Sequence, residues 1–127
     1  LEGAIGLFIA GLIVIHFYFP TFDLITGIGA AFITAGAPYL VYRLALSRGL
    51  SPSLEKITPK TLGILILIYA IISPLSHQLW FALRGFSPDF LSAFFAMFVG
   101  DLLGTLIIIY SIKLCLALLR MKQSKRI

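Results

Sequence analysis

An all-α fold, a bundle of four transmembrane helices, is predicted by three features of this 127-residue chain. Hydrophobic residues make up 60% and charged residues 12%, against about 45–50% and 25% in soluble domains. Mean hydropathy is +1.06. Four apolar stretches, 3–19, 24–46, 61–83 and 91–119, each reach or approach the ~20 residues that carry a helix across a ~30 Å hydrocarbon core. They use up most of the chain as one transmembrane domain, so a large catalytic or nucleic-acid-reading domain would belong to another chain or to a removed part.

The first stretch is near the short limit for a span. A cleaved signal peptide is the rival reading, but there is no basic leading region and no Ala-x-Ala-type site after Phe19-Pro20. The chain opens on Leu1-Glu2 without a methionine, so a processed or truncated product is the expectation. His16 lies near the outer end of this stretch, where an interfacial structural role is favoured over metal ligation.

The second stretch is rich in small residues, including Gly27, Ala31, Ala35 and Gly36, clustered before Pro38. Small residues let membrane helices approach closely, so this helix is expected to be the packing centre. Tyr39 and Tyr42 beside Arg43 read as an inner aromatic belt. Gly49 and Pro52 stop the helix, and Thr58-Pro59 reads as an N-cap followed by proline at the first helical position.

In the third stretch Pro74 breaks the helix hydrogen-bond ladder and frees a carbonyl for Ser73, Ser76 or water. Trp80, Phe81, Arg84 and Phe86 read as an outer interfacial belt, with Arg84 snorkelling or pairing with Asp89. The connection at 85–89 is short, so the third and fourth helices should lie adjacent and antiparallel.

The fourth stretch carries Gly100-Asp101-Leu102-Leu103-Gly104. Gly100 and Gly104 form a G-x-x-x-G, read first as packing within the protein and second as a homo-oligomer contact. Cys115, the one cysteine, cannot form an internal disulfide. The run from Arg120 to Arg126 is a topology anchor at the anionic leaflet or a docking point for a cytoplasmic partner.

The net charge of +5 reflects membrane topology, not nucleic-acid binding. Arg43, Arg48, Lys56 and Lys60 lie between the second and third stretches, and Lys113, Arg120, Lys122, Lys125 and Arg126 lie at the end. The opposite connections hold Arg84 with Asp23 and Asp89. The positive-inside rule then places both termini in the cytoplasm.

Asp101 is the focus of any chemistry. An aspartate at a helix centre costs about 2.5–3.5 kcal/mol to insert, so it faces the bundle interior and marks a function by default. Asp101 lies roughly 15 Å from the outer end of its helix, and His77 roughly 9 Å from the outer end of its own. A pair is thus geometrically allowed, with Gln78 and Tyr110 as further candidates for holding a ligand or a proton. The alternative is a protonated Asp101 bonded to a neighbouring helix or to carbonyls near 36–38. His16, His77 and Asp101 lack the local spacing of a metal site. No cofactor motif or nucleophile arrangement occurs, and the chain reads as non-enzymatic.

The run from Gly27 to Tyr110 resembles the later half of bacterial membrane-associated sensor domains of the MASE type. The resemblance rests on the segments at 39–46 and 72–76 and on the Gly-Asp-x-x-Gly stretch of the last helix. It implies a bacterial inner membrane and a sensor that signals to a membrane or cytoplasmic partner, as a stand-alone module or a piece of a longer protein. A structural accessory subunit of a larger membrane complex and a small-substrate carrier component are the alternative expectations.

Overall fold

The computed structural model describes residues 1–51, 57–86 and 89–124. Among these the chain forms four helices and no strand: α1 (Glu2–Tyr18), α2 (Leu24–Ser47), α3 (Pro59–Leu83) and α4 (Phe90–Ser124). This is the all-α membrane fold that the composition predicts. Three helices, α2 to α4, are long and apolar enough to cross a membrane. α1 is apolar but has 17 residues, roughly 25 Å of helix.

The helix ends follow local chemistry. Thr58 caps α3 by accepting the Thr61 amide at 3.2 Å, with Pro59 in the first helical turn. Asp89 accepts the Ser92 amide at 3.2 Å at the start of α4. α2 and α3 both end on glycines with positive φ, 86° at Gly49 and 77° at Gly85. The amides of Leu50 and Phe86 then reach back to Ala45 and Phe81. Pro52, Lys56, Ser87, Pro88, Lys125 and Arg126, which entered the sequence reading, lie outside the described residues.

The helices pack in chain order, α1 on α2, α2 on α3 and α3 on α4; among the described residues no other pair of helices approaches within 8 Å between Cα atoms. α2 is the centre, as its small residues predict. Ala31 is fully buried, Ala35 nearly so, and Gly27 buried against Ile15 of α1. Two close approaches were not read from sequence. A Cβ at Gly11 would stand 3.2 Å from the Ala31 Cα, and one at Gly29 would land on the Trp80 indole.

Three packing expectations are corrected. No heavy atom lies within 4 Å of a Cβ built at Gly36, Gly100 or Gly104. The G-x-x-x-G of α4 therefore makes no close contact within this chain. Trp80 does not belong to an outward belt: it turns onto α2, its Nε1 donating to the Thr26 carbonyl at 3.0 Å. Arg84 pairs with Asp23, not Asp89, at 2.7 Å, and its Nε donates to the Thr26 hydroxyl at 3.0 Å. Arg84 cannot leave its charge unpaired near lipid, and the start of α2 offers it a carboxylate and a hydroxyl together.

Thr26 also donates to the Asp23 carboxylate. That hydrogen bond, helped by the Arg84 charge, holds the Asp23 carboxyl below its ordinary range against the opposing desolvation. A depressed folded-state value gives stability that is complete above about pH 4 and lost as pH falls through it. Unfolding of wild type and Asp23→Asn compared from about pH 7 to about pH 3 should therefore show a steeper acid loss in wild type; parallel curves would contradict the latch. In detergent titrations Gly29→Leu should cost about 1–3 kcal/mol by overpacking. Gly100→Ala should stay within about 0.5 kcal/mol, and equal effects at both positions would refute the packing assignment.

Candidate functional site

Serial packing leaves α1 and α4 apart above the α2–α3 pair, and a cleft of 740 Å³ lies between them. Val14 and Ile15 of α1 and Ala93, Ala96 and Met97 of α4 form its walls. Thr34 of α2 and His77 and Gln78 of α3 supply polar groups, and Phe22, Phe81 and Phe86 lie toward its outer end. Phe22 holds the last two, with ring centroids at 5.1 Å and 5.0 Å. The volume lies in the ~300–1,000 Å³ range of clefts that enclose drug-sized molecules.

His77 is 7% exposed and Gln78 4% exposed. His77 Nδ1 lies 2.9 Å from the Ser73 carbonyl. A carbonyl only accepts, so Nδ1 carries hydrogen and Nε2 is the nitrogen free to change role. Nε2 stands 3.2 Å from the Thr34 hydroxyl, and that hydroxyl also lies 3.0 Å from the Ala30 carbonyl. Thr34 has one proton for two acceptors while the imidazole is neutral. Both contacts are satisfied together when Nε2 carries hydrogen. Gln78 Nε2 donates to the Met97 sulfur at 3.0 Å and so ties α3 to α4 across the cleft floor.

Asp101 lies deeper than the cleft and outside its lining. Its carboxyl faces α3, where the Ser73 side chain offers a hydrogen bond and His77 lies nearby. Tyr69 adds a hydroxyl that hydrogen-bonds the Ser73 side chain near Asp101. Asp101 Oδ2 is buried with no hydrogen-bond partner among the described residues. Buried carboxyl oxygens are normally partnered, so this one is a place for a proton or a donor.

Comparison with known protein families, curated proteins and solved structures found no match.

Of the four candidate residues, the fold gathers His77, Gln78 and Asp101 on the α3–α4 side of the cleft. Tyr110 stands 67% exposed further along α4 and does not join them. The expected bond from Asp101 to carbonyls near 36–38 is also excluded, because α2 and α4 do not approach. His16 is exposed, edge-on to Phe17, and among the described residues no three metal-binding side chains gather. Tyr69 and Thr34 are the residues that sequence reading missed. Tyr69 was in principle visible, because 69, 73 and 77 share one helix face. Thr34 had no such signal, since its role depends on which face α2 turns to α3.

Nitrogen-detected NMR of His77 should show hydrogen on Nδ1 in the neutral ring, with Thr34→Val shifting only Nε2. A neutral ring with hydrogen on Nε2 would refute this assignment.

Proposed function

We propose that the chain is a non-enzymatic sensor module of a bacterial inner membrane, multi-pass with both termini cytoplasmic. It takes a small ligand or a proton in the outer half of the membrane and signals to a cytoplasmic partner. The distribution of basic residues supports the orientation, and the resemblance to MASE-type sensors agrees with the role.

One observation carries the reading. α4 walls the cleft at Ala93 and Met97, presents Asp101 to α3, and continues unbroken to Ser124, roughly 35 Å beyond Asp101. A change in how α4 seats on α3 is thereby delivered to the basic end of the same rigid rod. Such a mechanism requires that ligand or proton favour one seating over another. The polar contacts between α3 and α4, Gln78 to Met97 and Asp101 with Ser73, are the ones that occupancy would alter.

An accessory subunit is the second reading. It is favoured by the open space at Gly100 and Gly104 and by the exposed side chains from 110 to 122 of α4, which leave a helix face for a larger membrane complex. A carrier is less well supported, because the cleft has few polar groups.

Cys115 is exposed on α4 and serves as a native labelling site. With a second spin label at Ser47→Cys on α2, the interlabel distance should shift by on the order of 2 Å between about pH 5 and about pH 9. Asp101→Asn should abolish the shift while helicity is kept. A pH-independent distance in wild type would favour the accessory subunit.

A further inference from the structure

Resting on the reading of the cleft as a ligand site, we propose that its ligand is an uncharged, largely apolar molecule with a hydroxyl head that meets His77. Three observations converge on that class. The first is electrical. His77 is the one cleft-lining residue whose ring can become cationic, and Asp101 lies within reach of its charge. A lone uncompensated charge at this depth costs several kcal/mol, so a charged head needs a fixed counter-charge, and the lining beside His77 offers none, Asp101 standing outside it. Asp89, at the mouth, is the other ionisable group in the lining and is acidic. An anionic head finds no net positive charge to meet, and a fixed cation finds no unpaired anion beside His77.

The second is the hydrogen-bond count. With Nδ1 committed to the Ser73 carbonyl, a neutral His77 presents Nε2 as an acceptor. The single Thr34 proton serves either Nε2 or the Ala30 carbonyl. A hydroxyl from the ligand donates to Nε2 and completes the set without moving a proton. An ether, a carbonyl or a hydrocarbon brings no donor to Nε2.

The third is access. The walls are apolar, and α1 and α4 are not in contact, so the cleft lies open between two helices that stand in lipid. Apolar molecules dissolved in the bilayer can enter sideways. The polar groups at the base are themselves buried, His77 at 7% and Gln78 at 4% exposed, so a head group that reaches them is removed from water and lipid headgroups alike.

The test uses the full chain in lipid nanodiscs and four probes that share a twelve-carbon chain brominated within three carbons of its head-group end: alcohol, carboxylate, trimethylammonium and hydrocarbon. Trp80, the one tryptophan, is one helical turn from His77 and reports binding by bromine quenching. The alcohol should quench saturably and bind about tenfold more tightly than each of the others, the worth of one good hydrogen bond. Ala96→Phe, which fills the cleft from an exposed position of α4, should abolish saturable quenching with helicity unchanged. His77→Phe should bring the alcohol down to the level of the hydrocarbon. Saturable binding that is equal across heads, or tighter for a charged head, overturns the ligand class and leaves the cleft reading intact. Linear quenching by every probe, unchanged in Ala96→Phe, overturns both.

Discussion

Apolar side chains gain nothing by leaving lipid for the interior of a membrane protein, so α2 holds its neighbours by backbone closeness and not by hydrophobic burial. Gly11 against Ala31, Gly27 against Ile15 and Gly29 against Trp80 set the distances between α1, α2 and α3. The fully buried groups are correspondingly small, with Ala31 and Ala70 at 0% exposure. Everything else depends on this. With α2 clamped between α1 and α3, α4 has only α3 to pack on, and the space between α1 and α4 becomes the cleft.

Polar contacts then fix what the small residues allow. At the outer end the Asp23, Thr26 and Arg84 cluster, with the Trp80 indole on the Thr26 carbonyl, locks the register of α2 on α3. About two turns deeper Thr34 meets His77, and beyond that Ser73 and Asp101 join α3 to α4. Each pair steps inward along both helices together, as antiparallel neighbours require. The polar groups thus fall into two clusters, one at the rim around Thr26 and a deeper one running from Thr34 through His77 and Ser73 to Asp101, with His77 at the point where it meets the cleft. That placement lets a ligand in the cleft and a proton at Asp101 act on the same α3–α4 seam.

α4 contrasts with the other helices. Its 35 residues exceed the length of α2 and α3, and from 110 to 122 its side chains are exposed. It meets α3 through the polar contacts of Gln78 with Met97 and of Ser73 with Asp101, and the proposed sensor reading asks that its seating there change. This is the physical content of a rod that links the cleft to the basic end.

Composition and local chemistry were enough to establish the membrane class, the four helices, and the helix ends at Thr58 and Gly49, because each of these depends on neighbours a few residues away. They also singled out Asp101 and His77, because a polar group in an apolar stretch is conspicuous in any arrangement. What they did not contain was facing. These helices are apolar all round, so no periodic stripe tells which side of α4 meets α3 or which way Trp80 turns. Gly100 and Gly104 looked like a contact and are open; Tyr110 looked like a site residue and points away; Arg84 chose Asp23 over the nearer Asp89. Those outcomes, and the entry of Thr34 and Tyr69 into the polar path, were decided by helix rotation and register, which only the close approaches between distant segments determine.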